Sequence, residues 1–218
     1  MSQGVCVTGT WREPADGHAL FYRLWRAAPE RALLVLVHGF GEHGGRYEPV
    51  AHALVTQGIS VAVPDLRGHG RSEGPRGDSP TARAYVEDCE TITQQVFLPA
   101  SGQARYIVYG HSFGGLLAIL WALKGPAALR RAVIQSPLLE TGFPLPWMTL
   151  AAARVMAVCW PTFPFQLNLD AGALSRDPSV VKAYRDDPLV HNRMTARVYQ
   201  SILRTRDEAL AQAAAIRP

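Results

Sequence analysis

Lysine is almost missing from this chain of 218 residues. Only Lys124 and Lys182 occur, so the basic excess, 22 against 18 acidic residues, is carried by arginine. The arginines are scattered, and Arg130-Arg131 is the only adjacent pair. Nucleic-acid binders concentrate basic residues in runs or on one face, so no nucleic-acid partner is expected. Cysteine is scarce too: Cys6, Cys89 and Cys159 lie far apart, with no CxxC and no Cys/His metal spacing. That excludes a disulfide framework, predicts a reducing compartment, and gives no reason to expect a metal or other cofactor. No uninterrupted apolar run reaches about 18 residues, so no spanning helix is expected. Nothing after Met1 resembles a secretory leader. The charged fraction is a modest 18% beside 48% hydrophobic residues, an ordinary globular composition that suits one domain with a small insertion.

What is present is strand and helix in alternation. Val5–Trp11 and Ala19–Trp25 are rich in β-branched and aromatic residues, and Pro14 and Asp16-Gly17 lie between them. They predict an N-terminal β-hairpin. Four apolar runs then read as buried parallel strands: Ala32–Gly39, Ile59–Gly68, Arg105–Gly110 and Arg131–Pro137. Between them lie helical patterns at Tyr47–Gly58, from Ser79-Pro80 to about Leu98, and at Ser112–Gly125. Ser79 is read as the N-cap and Pro80 as the first helical residue. The order predicts an α/β fold with a mostly parallel sheet and helices on both faces. The alternation stops after Pro137. Prolines and large apolars follow to Phe165, with a helical core at Trp147–Trp160. A last helix is expected from Thr195 to about Ile216, with no strand after it.

Chemistry concentrates at Gly110-His111-Ser112-Phe113-Gly114, a G-x-S-x-G pattern between a strand and a helix. The glycines allow a tight turn that lifts Ser112 from the sheet as a nucleophile. The helix N-terminus beyond it favours an anion, and the Phe113 N–H is a candidate oxyanion donor. Phe40, in the glycine loop His38–Tyr47, is the candidate second donor. His111 adjoins the nucleophile and cannot lie where a base must, so it reads as structural. His38 and His69 read as loop braces, and Asp65 as a loop or cap residue.

The stretches "HGFGEHGGRYEPVAHAL", "PDLRGHGRSEGPRG", "GHSFGG" and "LSRDPSVVKAYRDDPLVH" together resemble monoacylglycerol lipases, serine α/β-hydrolases close to lysophospholipase-like proteins. The resemblance implies an α/β-hydrolase fold with Ser112 as nucleophile and the Phe40 and Phe113 amides as oxyanion hole. Phe113 stands where that family commonly has methionine, and only its backbone is asked to act. The implied layout is a core over 1–138, a helical cap over 139–194 and a helix returning to the core over 195–218. Trp147, Met148, Leu150, Trp160, Phe163 and Phe165 are the candidate acyl-pocket residues of the cap. The implied substrate is a small lipid-like ester. The cap composition adds transient membrane-surface contact to an otherwise cytoplasmic expectation. Relatives that hydrolyse haloalkanes or epoxides carry aspartate in the nucleophile turn, where this chain has serine.

The triad order Ser, acid, His leaves one histidine after Ser112, namely His191. Asp187 and His191 satisfy the order formally. They are four residues apart with no strand between them, so they cannot come from two successive strand-end loops. The expectation is therefore a hydrolase truncated after the cap, nearly inactive alone. The alternative is a non-catalytic protein that holds a small apolar ligand under the cap.

Overall fold

The computed structural model describes residues 5–140, 147–167 and 170–216; the side chains of residues 147–150, 152 and 153 also lie outside the description. The expected hairpin forms from β1 (Cys6–Arg12) and β2 (Ala19–Trp25), in register from Cys6 opposite Trp25 to Arg12 opposite Ala19. Glu13 closes its turn: its N–H donates to the His18 carbonyl at 2.9 Å and its carboxylate accepts the Asp16 N–H at 3.1 Å. The four expected parallel strands are β3 (Ala32–Val37), β4 (Ile59–Pro64), β5 (Tyr106–His111) and β6 (Leu129–Gln135). The sheet order is β1-β2-β4-β3-β5-β6, with β2 antiparallel to both neighbours and the rest parallel.

Why the strand runs are apolar throughout is visible in β3. Leu33, Val35 and Val37 enter one core and Leu34 and Leu36 the other, because successive side chains point to opposite faces. Helix α1 (Glu48–Val55) covers the second face with Ala51 and Val55. The larger core takes Tyr85 and Cys89 from α2 (Ala82–Ile92). A π-helical turn, Thr93–Phe97, joins α2 to the short α3 (Leu98–Ser101). Leu116 and Trp121 come from α4 (Phe113–Lys124). Each such side chain fully buried is worth roughly 1.5–3 kcal/mol in transfer.

Five expectations change. The N-cap of α2 is Thr81, whose hydroxyl accepts the Ala84 N–H at 3.1 Å; Ser79 is buried and donates to the Thr81 carbonyl at 2.8 Å. The helix also runs past Leu98 through the π-turn, where Pro99 has no N–H for a regular α bond. Strand β6 is not buried: it is an edge strand, with Val133 44% and Ile134 36% exposed. Helix α4 packs on one side of it, and the Val133 side is open.

The fourth change lies in the cap. Helix α5 (Trp147–Cys159) falls where expected and is followed by β7 (Pro164–Gln166). Helix α6 (Pro178–Asp186) is capped by Asp177, which accepts the Ser179 N–H at 2.8 Å. Then β8 (Arg193–Thr195) pairs antiparallel with β7, a ribbon where no strand was expected. Three-residue strands carry no periodic signal to read. Helix α7 (Ala196–Ala211) returns Val198, Ile202 and Ala209 to the larger core, and a 3-10 turn, Ala213–Ala215, ends the expected helix early.

Candidate active site

Ser112 joins β5 to α4 with φ +54° and ψ −116°, a conformation that side chains rarely adopt. Such strain costs about 1–3 kcal/mol and persists only where surroundings enforce it. They do so here. The Ser112 N–H donates to the Gln135 carbonyl at 3.0 Å, and its own carbonyl accepts the Leu138 N–H at 2.9 Å. The flanking glycines are required by close backbone approach. A Cβ on Gly110 would lie 2.1 Å from the Gly114 oxygen, and one on Gly114 would lie 2.1 Å from the Val37 oxygen.

Phe113 is fully buried as the first residue of α4. Its ring meets that of Phe40 edge-on, with centroids 5.5 Å apart. A Cβ built on Gly39 would sit 3.5 Å from Ser112 Cβ, so the Phe40 loop touches the nucleophile turn. Neither the Phe40 nor the Phe113 N–H is bonded to a described residue. Two unpaired amides beside a serine at a helix N-terminus can hold a developing oxyanion.

The Phe40 loop is braced by a residue that the sequence reading passed over. Glu42 accepts the Gly39 N–H and the Tyr47 hydroxyl through one oxygen, both at 2.7 Å, and Arg46 through the other at 2.9 Å. Burial acts to raise the Glu42 carboxyl, but His38 and these bonds outweigh it and hold it below its ordinary value. The one signal in the sequence was an acid three residues after Gly39 in a loop of glycines that need acceptors. His38 braces the loop as expected: Nδ1–H donates to the Gly39 carbonyl at 2.8 Å and Nε2 accepts the Leu66 N–H at 3.0 Å. Asp65, fully buried, accepts Arg23 at 2.9 Å, the Gly44 N–H at 2.8 Å and the Arg71 N–H at 2.9 Å. His111 ends β5, with its Nδ1 buried and no described partner.

Asp187 and His191 do not pair with each other. Asp187 accepts Nε2–H of His43 at 2.8 Å. His191 donates Nε2–H to the Gly68 carbonyl at 3.1 Å, and its backbone N–H donates to the Gly41 carbonyl at 2.8 Å. Its ring lies 4.8 Å from that of His69 and 6.0 Å from that of Phe40. Burial first, then the charge of Arg76, pushes the His191 imidazole down to about 4. Burial pushes the enclosed His69 well down also, and His38 and His191 add to it. Neither candidate is bonded to Ser112, whose Oγ has no side-chain hydrogen bond to a described residue.

Of the cap candidates, Phe165 packs edge-on to Tyr199 at 5.8 Å and against the larger core. Trp160 is 57% exposed and meets the Phe163 ring at 5.3 Å. The side chains of Trp147, Met148 and Leu150 lie outside the described residues. No described helix is long and apolar enough to cross a membrane.

Residues 28–218 match the family described as "Serine aminopeptidase, S33". A monoacylglycerol lipase of Mycolicibacterium smegmatis is 36% identical over 179 residues, covering 81% of this chain and 62% of that protein. Human monoglyceride lipase is 34% identical over 178 residues, covering 81% of this chain and 58% of that protein. The crystal structure of Paleococcus ferrophilus monoacylglycerol lipase superposes with a TM-score of 0.82 at 32% identity, covering 91% of this chain and 74% of that one. The chain thus spans about three fifths of the length of the two curated relatives. With the strained serine, its two glycines and the Phe40 and Phe113 amides already placed, the chain belongs to the serine hydrolase family described as Serine aminopeptidase, S33, among the monoacylglycerol lipase-like α/β-hydrolases.

Proposed function

We propose that this chain carries the nucleophile and oxyanion hole of a carboxylic ester hydrolase for single-chain lipids, of the monoacylglycerol or lysophospholipid type. Ser112 Oγ attacks the ester carbonyl, the Phe40 and Phe113 amides hold the oxyanion, and an acyl-enzyme forms as the alcohol leaves. One observation carries the reading: Ser112 is held at φ +54° beside two amides that have no bonded partner among the described residues. The names of the similar proteins support the substrate class. Residues 1–138 act as core and 139–194 as a cap over the acyl chain, with the cap touching membrane surface transiently.

The oxygen of a serine needs a base to become a good nucleophile. Asp187 is committed to His43 and the ring Nε2–H of His191 to the Gly68 carbonyl, which supports an acid and base from outside residues 1–218. By this reading the 218-residue chain is nearly inactive alone. Loss of triad members in known cases leaves about 10³–10⁴-fold catalysis over water. The test is a fluorophosphonate probe and a short-chain aryl ester. Slow labelling that S112A abolishes supports the proposal. Turnover at about tens per second that H191A abolishes would make His191 the base and overturn the truncation reading.

The second reading is a non-catalytic protein that shelters an apolar ligand under the cap. The lack of a base bonded to Ser112 favours it. No labelling of Ser112 even at high pH, with retention of a fluorescent fatty alcohol, would select it.

A further inference from the structure

Away from the nucleophile, α5 and α7 enclose a groove of about 540 Å³ with Arg154 and Val158 on one wall and Arg197 and Arg204 on the other. Arg206 and Asp207 also line it, and Pro80 and Thr81 bring the N-terminus of α2 to its floor. The lining therefore holds four guanidinium groups and one carboxylate. Arg197 is occupied by Asp78, and Arg206 by Asp207 at 2.7 Å. Arg154 and Arg204 are exposed and have no acidic partner among the described residues. Two arginines with no acidic partner among the described residues thus line one concave surface, together with the N-cap of a helix.

The rim is apolar. Val158 is 82% exposed, Val155 60% and Trp160 57%, all on α5 or just beyond it. Large apolars left in water beside arginines suit a surface that is anionic at one depth and hydrocarbon at the next. A nucleic acid offers the charge without the hydrocarbon, and a free phosphate gives the valines no contact. We propose that the α5–α7 groove binds the phosphate headgroup of an anionic membrane lipid, with Arg154 and Arg204 as its direct ligands. Val155, Val158 and Trp160 enter the acyl boundary beside it. This rests on the reading of the cap as the lipid-facing part of the protein, and it adds a selectivity that reading does not contain.

The test is flotation of the full chain with vesicles of phosphatidylcholine alone, or with about a third phosphatidylglycerol. Binding to the anionic vesicles and little to the neutral ones is expected. A basic residue near such a surface contributes roughly fivefold, so R154E/R204E is expected to lose about 25-fold or more. R130E/R131E, an equal charge change on the exposed edge strand, is expected to lose much less. If R154E/R204E melts early, R154Q/R204Q replaces it with a smaller loss of the same kind. An equal loss in both charge-reversal pairs would overturn the site, as net charge alone would then explain binding. Equal binding to both vesicle types would overturn the arginine site and leave a lipid-facing cap. Binding to neither would remove both. Displacement by millimolar inorganic phosphate would make the ligand a free phosphate. Retention of single-stranded RNA through the same arginines, without vesicle binding, would make it nucleic acid. Either result overturns the proposal. Serine labelling does not enter these readouts, so ester hydrolysis stands or falls separately.

Discussion

His43 and Asp187, 144 residues apart, are joined by a 2.8 Å hydrogen bond from imidazole Nε2–H to carboxylate. His43 Nδ1 accepts the Gly45 N–H at 3.1 Å, which assigns the tautomer. Arg46 stacks on Tyr184 4.6 Å away, and the His191 N–H reaches Gly41. The segment 184–191 thus clasps the loop that carries Phe40. By the reading proposed above, Asp187 positions the Phe40 loop rather than a base, since its carboxylate is bonded to His43.

Removal of that carboxylate gives the first prediction. Burial alone acts to raise the Asp187 carboxyl, but the bond from His43 and the Leu189 N–H hold it below its usual range. Asp187→Ala is expected to lower stability by about 1–2 kcal/mol, the scale of a partly exposed hydrogen bond to a charged group. Amide exchange over residues 38–47 is expected to quicken, while Ser112 labelling changes by less than about tenfold. A labelling loss as large as that of S112A would return Asp187 to the catalytic set.

Strain at Ser112 predicts a gain as well as a loss. Ser112→Gly removes the proposed nucleophile and the side chain that resists φ +54°. Unfolding in urea is expected to need about 1 kcal/mol more, with all probe labelling gone. An unchanged or lower midpoint would mean that the turn is not strained.

Gly114 and Gly102 form a matched pair. A Cβ at Gly114 would strike the Val37 carbonyl oxygen at 2.1 Å, where only backbone could yield. Gly114→Ala is expected to lose more than about 3 kcal/mol or fail to fold. Gly102 has φ +68° but open space around it, so Gly102→Ala is expected to lose about 1 kcal/mol. Thermal melts of the two variants decide this, and equal losses would count against the close approach.

Stability is expected to fall with acid through the histidine cluster. Burial lowers the imidazoles of His38, His69 and His191 in the folded state. The unfolded chain binds protons near pH 6.5, whereas folded His191 does so only near 4. The contribution is therefore whole above about pH 6.5 and is lost as pH falls through about 4. Urea midpoints between these values are expected to drop steadily, and less steeply in His191→Gln. An identical slope in that variant would exclude His191 as a source.

Much of this protein was legible because its signals are local. Apolar runs marked the strands, since burial on both faces leaves no polar period. Two glycines around Ser112 marked the elbow, because a sharp strand-to-helix turn tolerates no Cβ at those points. The amino-acid sequence therefore determined the fold class and the strand-turn-helix that carries Ser112. Pairings between distant segments were decided only by the tertiary structure. Nothing near Asp187 announces His43, nothing near Glu42 announces that its oxygens hold Gly39 and Tyr47, and α5 alone does not show that Arg154 shares a groove with Arg204. Hydrogen bonds and guanidinium groups act over a few ångströms, and which residues come that close depends on how the sheet, cap and last helix pack.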